Sequence, residues 1–343
     1  MNIVVLAGGN STERSISIVS GSKVTEALRS RGHNAVLVDV CFGAKVNDPA
    51  NAFATEVPVE EAVAWMHEQD ERVPEVDKRK CFFGEGVPAL CEAADVVFMA
   101  LHGANGENGK IQAAFELLGI KFTGSTYLGS ALGMSKELSK TMFREYGVPT
   151  PAGFVLRKGD EVLSTDKNGV GLPCVVKVAC GGSSVGVEIP KTEEEYQKAV
   201  ANAFALEDVL IVEQFVDGRE FSVGVVDGEA YPVIEIAPIE GFYDYTNKYK
   251  AGSTIETCPA QISEEQTREM QKHAVDAYNA LRLTNYGRID VMMDKDGKMY
   301  CLEANTLPGM TPTSLLPQEA AAIGMDFADL CEKLINVSVQ AGA

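Results

Sequence analysis

Four polar residues near the end of the chain could do chemistry together: Arg288 and Asp290 in GRIDV, and Glu303 and Asn305 in LEAN. Asp294-Lys295-Asp296-Gly297 lies between the two segments and is a turn signal. The pair predicts a hairpin of residues 287–293 with 298–305. A turn centred on Lys295-Asp296 sets Arg288 opposite Glu303 and Tyr286 opposite Asn305. Side chains alternate along a strand, so all four share one face, with Asp290 and Glu303 as diagonal neighbours roughly 7–8 Å apart. Ile289, Val291, Leu302 and Ala304 fall on the other face, toward a core. Carboxylates that close repel one another unless cations share the site. Hard oxygen ligands suit Mg²⁺, and a pair of ions bridged by phosphates explains the density of charge. The plainer alternative is a solvated face carrying an Arg288–Glu303 ion pair. The adjoining Thr306-Leu307-Pro308-Gly309-Met310 is unlike an ordinary surface hairpin.

Three further segments have the composition of ligand loops. Lys177 stands in an apolar run just before Cys180-Gly181-Gly182-Ser183-Ser184-Val185-Gly186, where glycine admits a phosphate to the backbone and serine adds donors. Gly8-Gly9-Asn10-Ser11-Thr12-Glu13-Arg14-Ser15 reads as a strand-to-helix loop. There Glu13 either caps the helix or holds a substrate ammonium. His102-Gly103-Ala104-Asn105-Gly106-Glu107-Asn108-Gly109 sets a histidine among three glycines at a strand end. Each alone is more often structural than functional. No G-x-x-x-x-G-K-[ST] and no G-x-G-x-x-G occurs, which disfavours a P-loop enzyme or a dinucleotide-dependent dehydrogenase.

The elements that must position these residues are legible in outline. Strand signals at 3–7, 35–40 and 94–101 alternate with helical periodicity at 15–31 and 59–68, predicting a doubly wound parallel α/β domain. Ligand groups belong at the carboxyl ends of its strands, where Gly8-Gly9 and His102-Gly103 stand. A helix over 135–146 ends at Gly147-Val148-Pro149. Two β-rich stretches follow, 174–187 and 209–226, then a hairpin signal at Asp227-Gly228 and a helix over 263–281. Three α/β lobes are expected: 1–135, 136–226 and 227–343.

Composition narrows the function further. The 343 residues carry 49 acidic and 30 basic side chains, a net charge of −19. Broad binding to nucleic acid or anionic membrane is disfavoured, because clustered Lys and Arg normally supply that attraction. No apolar run approaches the roughly 20 residues of a membrane span, and the opening residues lack the basic region of a signal peptide. The eight cysteines include no C-x-x-C pair. They read as free thiols in a reducing cytoplasm rather than as zinc ligands.

Taken in order, GGNSTER, HGANGENG, SALGMSK, VVKVACGGSSVG, EQFVDGREF, FYDYTNKY, GRIDV and LEANTLPGMTPTSLLP resemble the ATP-grasp superfamily, and within it the D-alanine–D-alanine ligase family. The resemblance runs from Gly8 to about Pro317. It implies an ATP-grasp fold in which ATP lies between two β-rich lobes and activates a carboxylate as an acyl phosphate for attack by a second substrate's amine. Lys136, Lys177 and Lys248 match phosphate-contacting cations. Glu213, Gln214, Phe215 and Val216 match the adenine-binding hinge, Glu220 a ribose-binding acid, and Phe242 and Met292 adenine-pocket packing. Asp290, Glu303 and Asn305 match the ligands of two Mg²⁺ ions, with Mn²⁺ as a substitute. Arg288 matches the cation facing the tetrahedral intermediate. Glu13 matches the acid that receives the first ammonium, linked to Ser183 and Tyr249, with His102 nearby. Ser314 matches a hydroxyl on the second substrate's carboxylate, and Leu315 follows it as a wall for a methyl group. Residues 241–252 match a lid that excludes water.

The resemblance thus implies a cytoplasmic ligase for peptidoglycan precursors, acting on ATP and D-alanine, with a homodimer expected. Tyr249 disfavours D-lactate as second substrate. D-serine is open, since a methyl pocket rejects an added hydroxyl only about 10²-fold. A D-alanine–D-serine ligase or another carboxylate–amine ligase is the same-fold alternative. A non-catalytic nucleotide-binding module is the alternative of another class, disfavoured because it has no use for Arg288. The chain departs from the family pattern at Val178, Gly182 and Ser135.

Overall fold

The computed structural model describes residues 1–182, 186–239 and 253–340. Ser183, Phe242, Lys248 and Tyr249, with the expected lid, lie outside the described residues. Strands β1 (Asn2–Ala7), β2 (Asn34–Asp39) and β3 (Val96–Met99) form a parallel sheet in the order β2-β1-β3. β1 is buried from Ile3 to Ala7, as an apolar strand covered on both faces must be. Gly8 and Gly9, at φ +76° and +88°, turn the chain into helix Arg14–Ser30. A Cβ on Gly8 would lie 2.6 Å from Asp39 Oδ2, so only glycine fits that turn.

A second, antiparallel sheet contains β4 (Gly153–Arg157), β5 (Cys174–Val178) and β6 (Val209–Gln214), in the order β4-β6-β5. Helix Glu193–Phe204 covers it with Tyr196, Ala199, Val200 and Ala203. The third sheet holds β7 (Gly218–Val226), β8 (Glu229–Ala230), β9 (Ile234–Pro238), β10 (Thr254–Thr257), β11 (Tyr286–Asp294) and β12 (Met299–Asn305). Its order is β10-β9-β7-β11-β12, with β8 on β7. Helix Glu264–Ala280 covers it, started by a capping box between Ser263 and Gln266.

Two segments sit elsewhere than their sequence position suggests. β7, expected with the lobe ending at 226, pairs with β11 from Gly218↔Asp294 to Val226↔Tyr286. The change of sheet therefore falls between β6 and β7, inside the stretch 209–226 that reads as one β-rich segment. Helix Phe327–Gln340, expected with the last lobe, inserts Leu330, Cys331, Leu334 and Ile335 into the core around β1. Arg31 meets Asp326 and Asp329 at 2.8 and 2.6 Å beside that contact.

The β11–β12 hairpin forms, but in a different register. Asp290 pairs directly with Glu303 and Arg288 with Asn305, while Val291 faces Cys301. Leu302 is the extra residue of a β-bulge at that shift. Cys301, 1 % exposed, takes the core position expected for Leu302, and Leu302 joins Glu303 along the cleft. One inserted residue moves a leucine from one face to the other.

Candidate active site

A cleft of about 480 Å³ separates the second sheet from the third. Lys177 enters it from β5, Glu213 and Gln214 from the end of β6, and Phe215 and Val216 from the connection to β7. Glu220 of β7 and Met292 of β11 are register partners on its floor. Lys136 opens helix Lys136–Glu145, whose first turn is capped by Ser135 Oγ accepting from Leu138 N–H at 3.3 Å. The departure at Ser135 therefore keeps a good N-cap beside the lysine.

Charge in the cleft is arranged in two groups. Lys136 Nζ lies 3.1 Å from Glu303 Oε2 and donates to Gly181 O at 2.8 Å, joining the two sheets. Burial works against its charge, but Glu303 outweighs that and raises its pKa. In the other group Glu213, 2 % exposed, receives Lys177 at 2.5 Å and Lys140 at 2.6 Å. Burial pushes Lys140 down to about 8 against the pull of Glu213, with Lys177 adding to the drop. Burial also opposes the charge of Glu213, yet the two lysines outweigh it and lower its pKa. Its carboxylate is shared by the two lysines, which holds Lys177 at the cleft. Lys140 carries no motif of its own, although its spacing of four from Lys136 puts both on one helix face.

Asp290, 5 % exposed, is held from three sides. Arg288 Nε and Nη2 each donate to it at 3.0 Å, Ser222 Oγ at 2.8 Å and Asn305 Nδ2 at 3.0 Å. Asp290, Glu303 and Asn305 offer the hard oxygens that Mg²⁺ takes. Among the described residues no three His, Cys, Asp or Glu side chains cluster as a cage. A six-fold shell here would need oxygens from a ligand, which is how Mg²⁺ is held beside phosphates. The donor set fits that ion.

A third group gathers where the first sheet meets the cleft. Glu13 occupies the N-cap position of helix Arg14–Ser30 without a side-chain capping bond, so the cap role weighed for it is not the one it plays. A Cβ on Gly103 or Gly182 would lie 2.9 or 3.0 Å from Glu13 Oε2. The departure at Gly182 thus leaves room against that carboxylate. His102 is 3.0 Å from Ser20 Oγ, and burial holds its pKa below the usual value while Glu13 pulls it up. Glu107 accepts Gly103 N–H at 2.6 Å, and burial followed by the charge of Glu13 pushes it up to about 8.

Ser314 occupies the N-cap position of helix Leu315–Ala322 without a side-chain capping bond, and its Oγ lies 2.8 Å from Thr311 Oγ1. Leu315 is 5 % exposed and packs with Ile234 and Ile236. Glu107, Ser222 and Glu319 were not singled out by sequence. Glu107 stands inside HGANGENG, but Ser222 and Glu319 acquire partners only across the fold.

Two family models match the chain: D-ala D-ala ligase N-terminus over residues 2–125 and D-ala D-ala ligase C-terminus over 142–336. The D-alanine–D-alanine ligase of Pediococcus pentosaceus is 42 % identical over 347 residues, covering 98 % of this chain and 97 % of its own. That of Lacticaseibacillus casei is 43 % identical over 349 residues, with 98 % and 95 % covered. Among solved structures, the D-alanine–D-alanine ligase of Coxiella burnetii superposes with a TM-score of 0.78 at 27 % identity, covering 99 % and 94 %. The Bacillus anthracis enzyme complexed with ATP gives 0.75 at 28 %, covering 99 % and 98 %. With its parallel first sheet and its two-sheet cleft, the chain belongs to the D-alanine–D-alanine ligase family of ATP-grasp enzymes.

Proposed function

We propose that the chain joins two D-alanines into D-alanyl-D-alanine, driven by ATP, for peptidoglycan precursor synthesis. The observation that carries the reading is the meeting of Lys136 with Glu303, 3.1 Å apart, across a cleft that also holds Lys177. Cations on one wall face carboxylates on the other, which suits a triphosphate with divalent ions between them. ATP would lie with its adenine along residues 214–216 and Met292, and its ribose at Glu220. Lys136 and Lys177 would bind its phosphates, with Lys248 from the lid.

Asp290, Glu303 and Asn305 would hold two Mg²⁺ ions, which shield the transferred phosphoryl group's charge when bound. The first D-alanine's ammonium binds Glu13, with Ser183, Tyr249 and His102 completing that corner. Its carboxylate oxygen attacks the γ-phosphorus, ADP leaves, and an acyl phosphate forms. The second D-alanine, carboxylate at Ser314 and methyl near Leu315, attacks the acyl carbon through its amine. Arg288 stabilises the negative oxygen of the tetrahedral intermediate, and phosphate departs. Lid closure keeps water from the acyl phosphate.

A cytoplasmic site of action accords with eight unpaired cysteines. No helix among the described residues is long and apolar enough to cross a membrane. A homodimer is in keeping with Leu117, Leu118, Tyr127 and Leu128, exposed on the adjoining helices Lys110–Leu118 and Tyr127–Met134. Measuring ADP release with Mg²⁺-ATP and single D- or L-amino acids, with dipeptides identified, tests the reading. D-alanine should turn over and exceed D-serine as acceptor. Turnover with L-amino acids and none with D-alanine would overturn it.

A further inference from the structure

Glu319 is fully buried on helix Leu315–Ala322, and its Oε2 accepts Gly224 N–H at 2.6 Å. The place of that bond is unusual. The β7–β9 ladder reaches Ser222↔Ile234, and the β7–β8 ladder begins at Val225↔Ala230. Gly224 falls between them, with its carbonyl already taken by Tyr231 N–H at 2.8 Å. Glu319 supplies what the sheet lacks at that N–H. The glycine follows from the same contact: a Cβ there would lie 2.4 Å from Glu319 Oε2 and 2.4 Å from Leu316 Cδ1.

Both ends of this bond lead to the site. Gly224 is the register partner of Arg288, and two residues away Ser222 donates to Asp290 at 2.8 Å. Five residues before Glu319 stands Ser314, the N-cap of the same helix. We propose that Glu319 is a positioning residue of the second-substrate subsite, fastening the helix that starts at Ser314 to the strand that faces Arg288. This rests on the reading of Ser314 as the contact to the second substrate's carboxylate. An apolar side chain would fill the space without the desolvation a carboxyl suffers, so the bond itself is the reason for the residue. Burial pushes the carboxyl up to about 8, so the group is protonated at neutral pH and brings no stray charge beside Arg288. A slip of the helix by a fraction of an ångström would move Ser314 against Arg288 and leave the nucleotide cleft as it is.

Steady-state kinetics at saturating Mg²⁺-ATP, with D-alanine varied, resolve the two amino-acid sites. Glu319→Ala should raise the second-site KM about tenfold, the scale of one lost buried hydrogen bond. KM for ATP and for the first D-alanine should stay within about twofold. Glu319→Gln should remain within about twofold of the unsubstituted enzyme, because its amide oxygen still accepts from Gly224. If Glu319→Ala does not fold, Glu319→Leu fills the volume without an acceptor and should show the same selective rise. Ser314→Ala separates the two claims. If it raises the second-site KM while the Glu319 variants do not, or while they shift all constants alike, the positioning role is overturned and the Ser314 reading stands. Equal impairment of Glu319→Gln and Glu319→Ala also overturns the role. An unchanged second-site KM in Ser314→Ala sinks both.

Discussion

At the scale of single residues, the site gives Asp290, Glu303 and Glu213 partners of its own. Asp290 is fixed by Arg288, Ser222 and Asn305, whereas Glu303 meets Lys136, whose Nζ also donates to Gly181 O. Glu303→Gln keeps the shape and removes the charge, so turnover should fall at least about 10²-fold, with circular dichroism and melting little changed. Near-normal ADP release at saturating Mg²⁺ would exclude the metal role. A second prediction follows from Glu319. Its folded-state pKa of about 8 lies above the ordinary 4.5. The native state therefore binds more protons between those values. The resulting stability is fully present below about pH 4.5 and is lost as pH rises through 8, by up to about 1.4 kcal/mol per pH unit. Glu319→Gln lacks this loss, so urea denaturation should show it gaining on the unsubstituted protein between pH 5 and pH 8.5. A difference independent of pH would contradict the shift.

At the scale of elements, the hairpin shows what was legible and what was not. Its existence, its turn and its polar face follow from GRIDV, DKDG and LEAN. Its register does not, because a bulge leaves no mark in an alternating pattern that reads equally well one residue away. The bulge makes Leu302 a wall of the cleft. Leu302→Ala should raise KM for ATP several-fold while changing stability little. Cys301→Ser, on the buried side, should destabilise by about 1–3 kcal/mol and leave KM for ATP nearly unchanged. The reverse pattern in a paired kinetic and denaturation measurement would mean the faces are exchanged. Lys136, Lys177 and Glu220 were readable because each sits in a local motif. Lys140 and Ser222 were not, since their partners stand 73 and 68 residues away.

At the scale of the molecule, three sheets share the work: one carries Glu13, and the other two close on the phosphate cleft. The alternating first third, the helix after Ser135 and the final hairpin follow from periodicity and turn residues. The assignment of β7 to the third sheet and of the last helix to the first sheet does not, because long-range pairing has no local signature. The last helix is tied down chiefly by apolar contact. Leu330→Ala should therefore cost about 2–5 kcal/mol by urea denaturation, whereas Arg31→Ala, which removes two surface ion pairs, should cost little. Equal costs would shift the weight from packing to charge.

The return of helix Phe327–Gln340 to the core around β1 also sets an order of events on the ribosome. Phe327 follows Ala7 by 320 residues, so this helix is made long after β1. The apolar face that Leu330, Leu334 and Ile335 seal stays open until the residues between have been made. The core around β1 cannot close before this helix is made, and exposed apolar surface of that kind is prone to aggregate in the meantime.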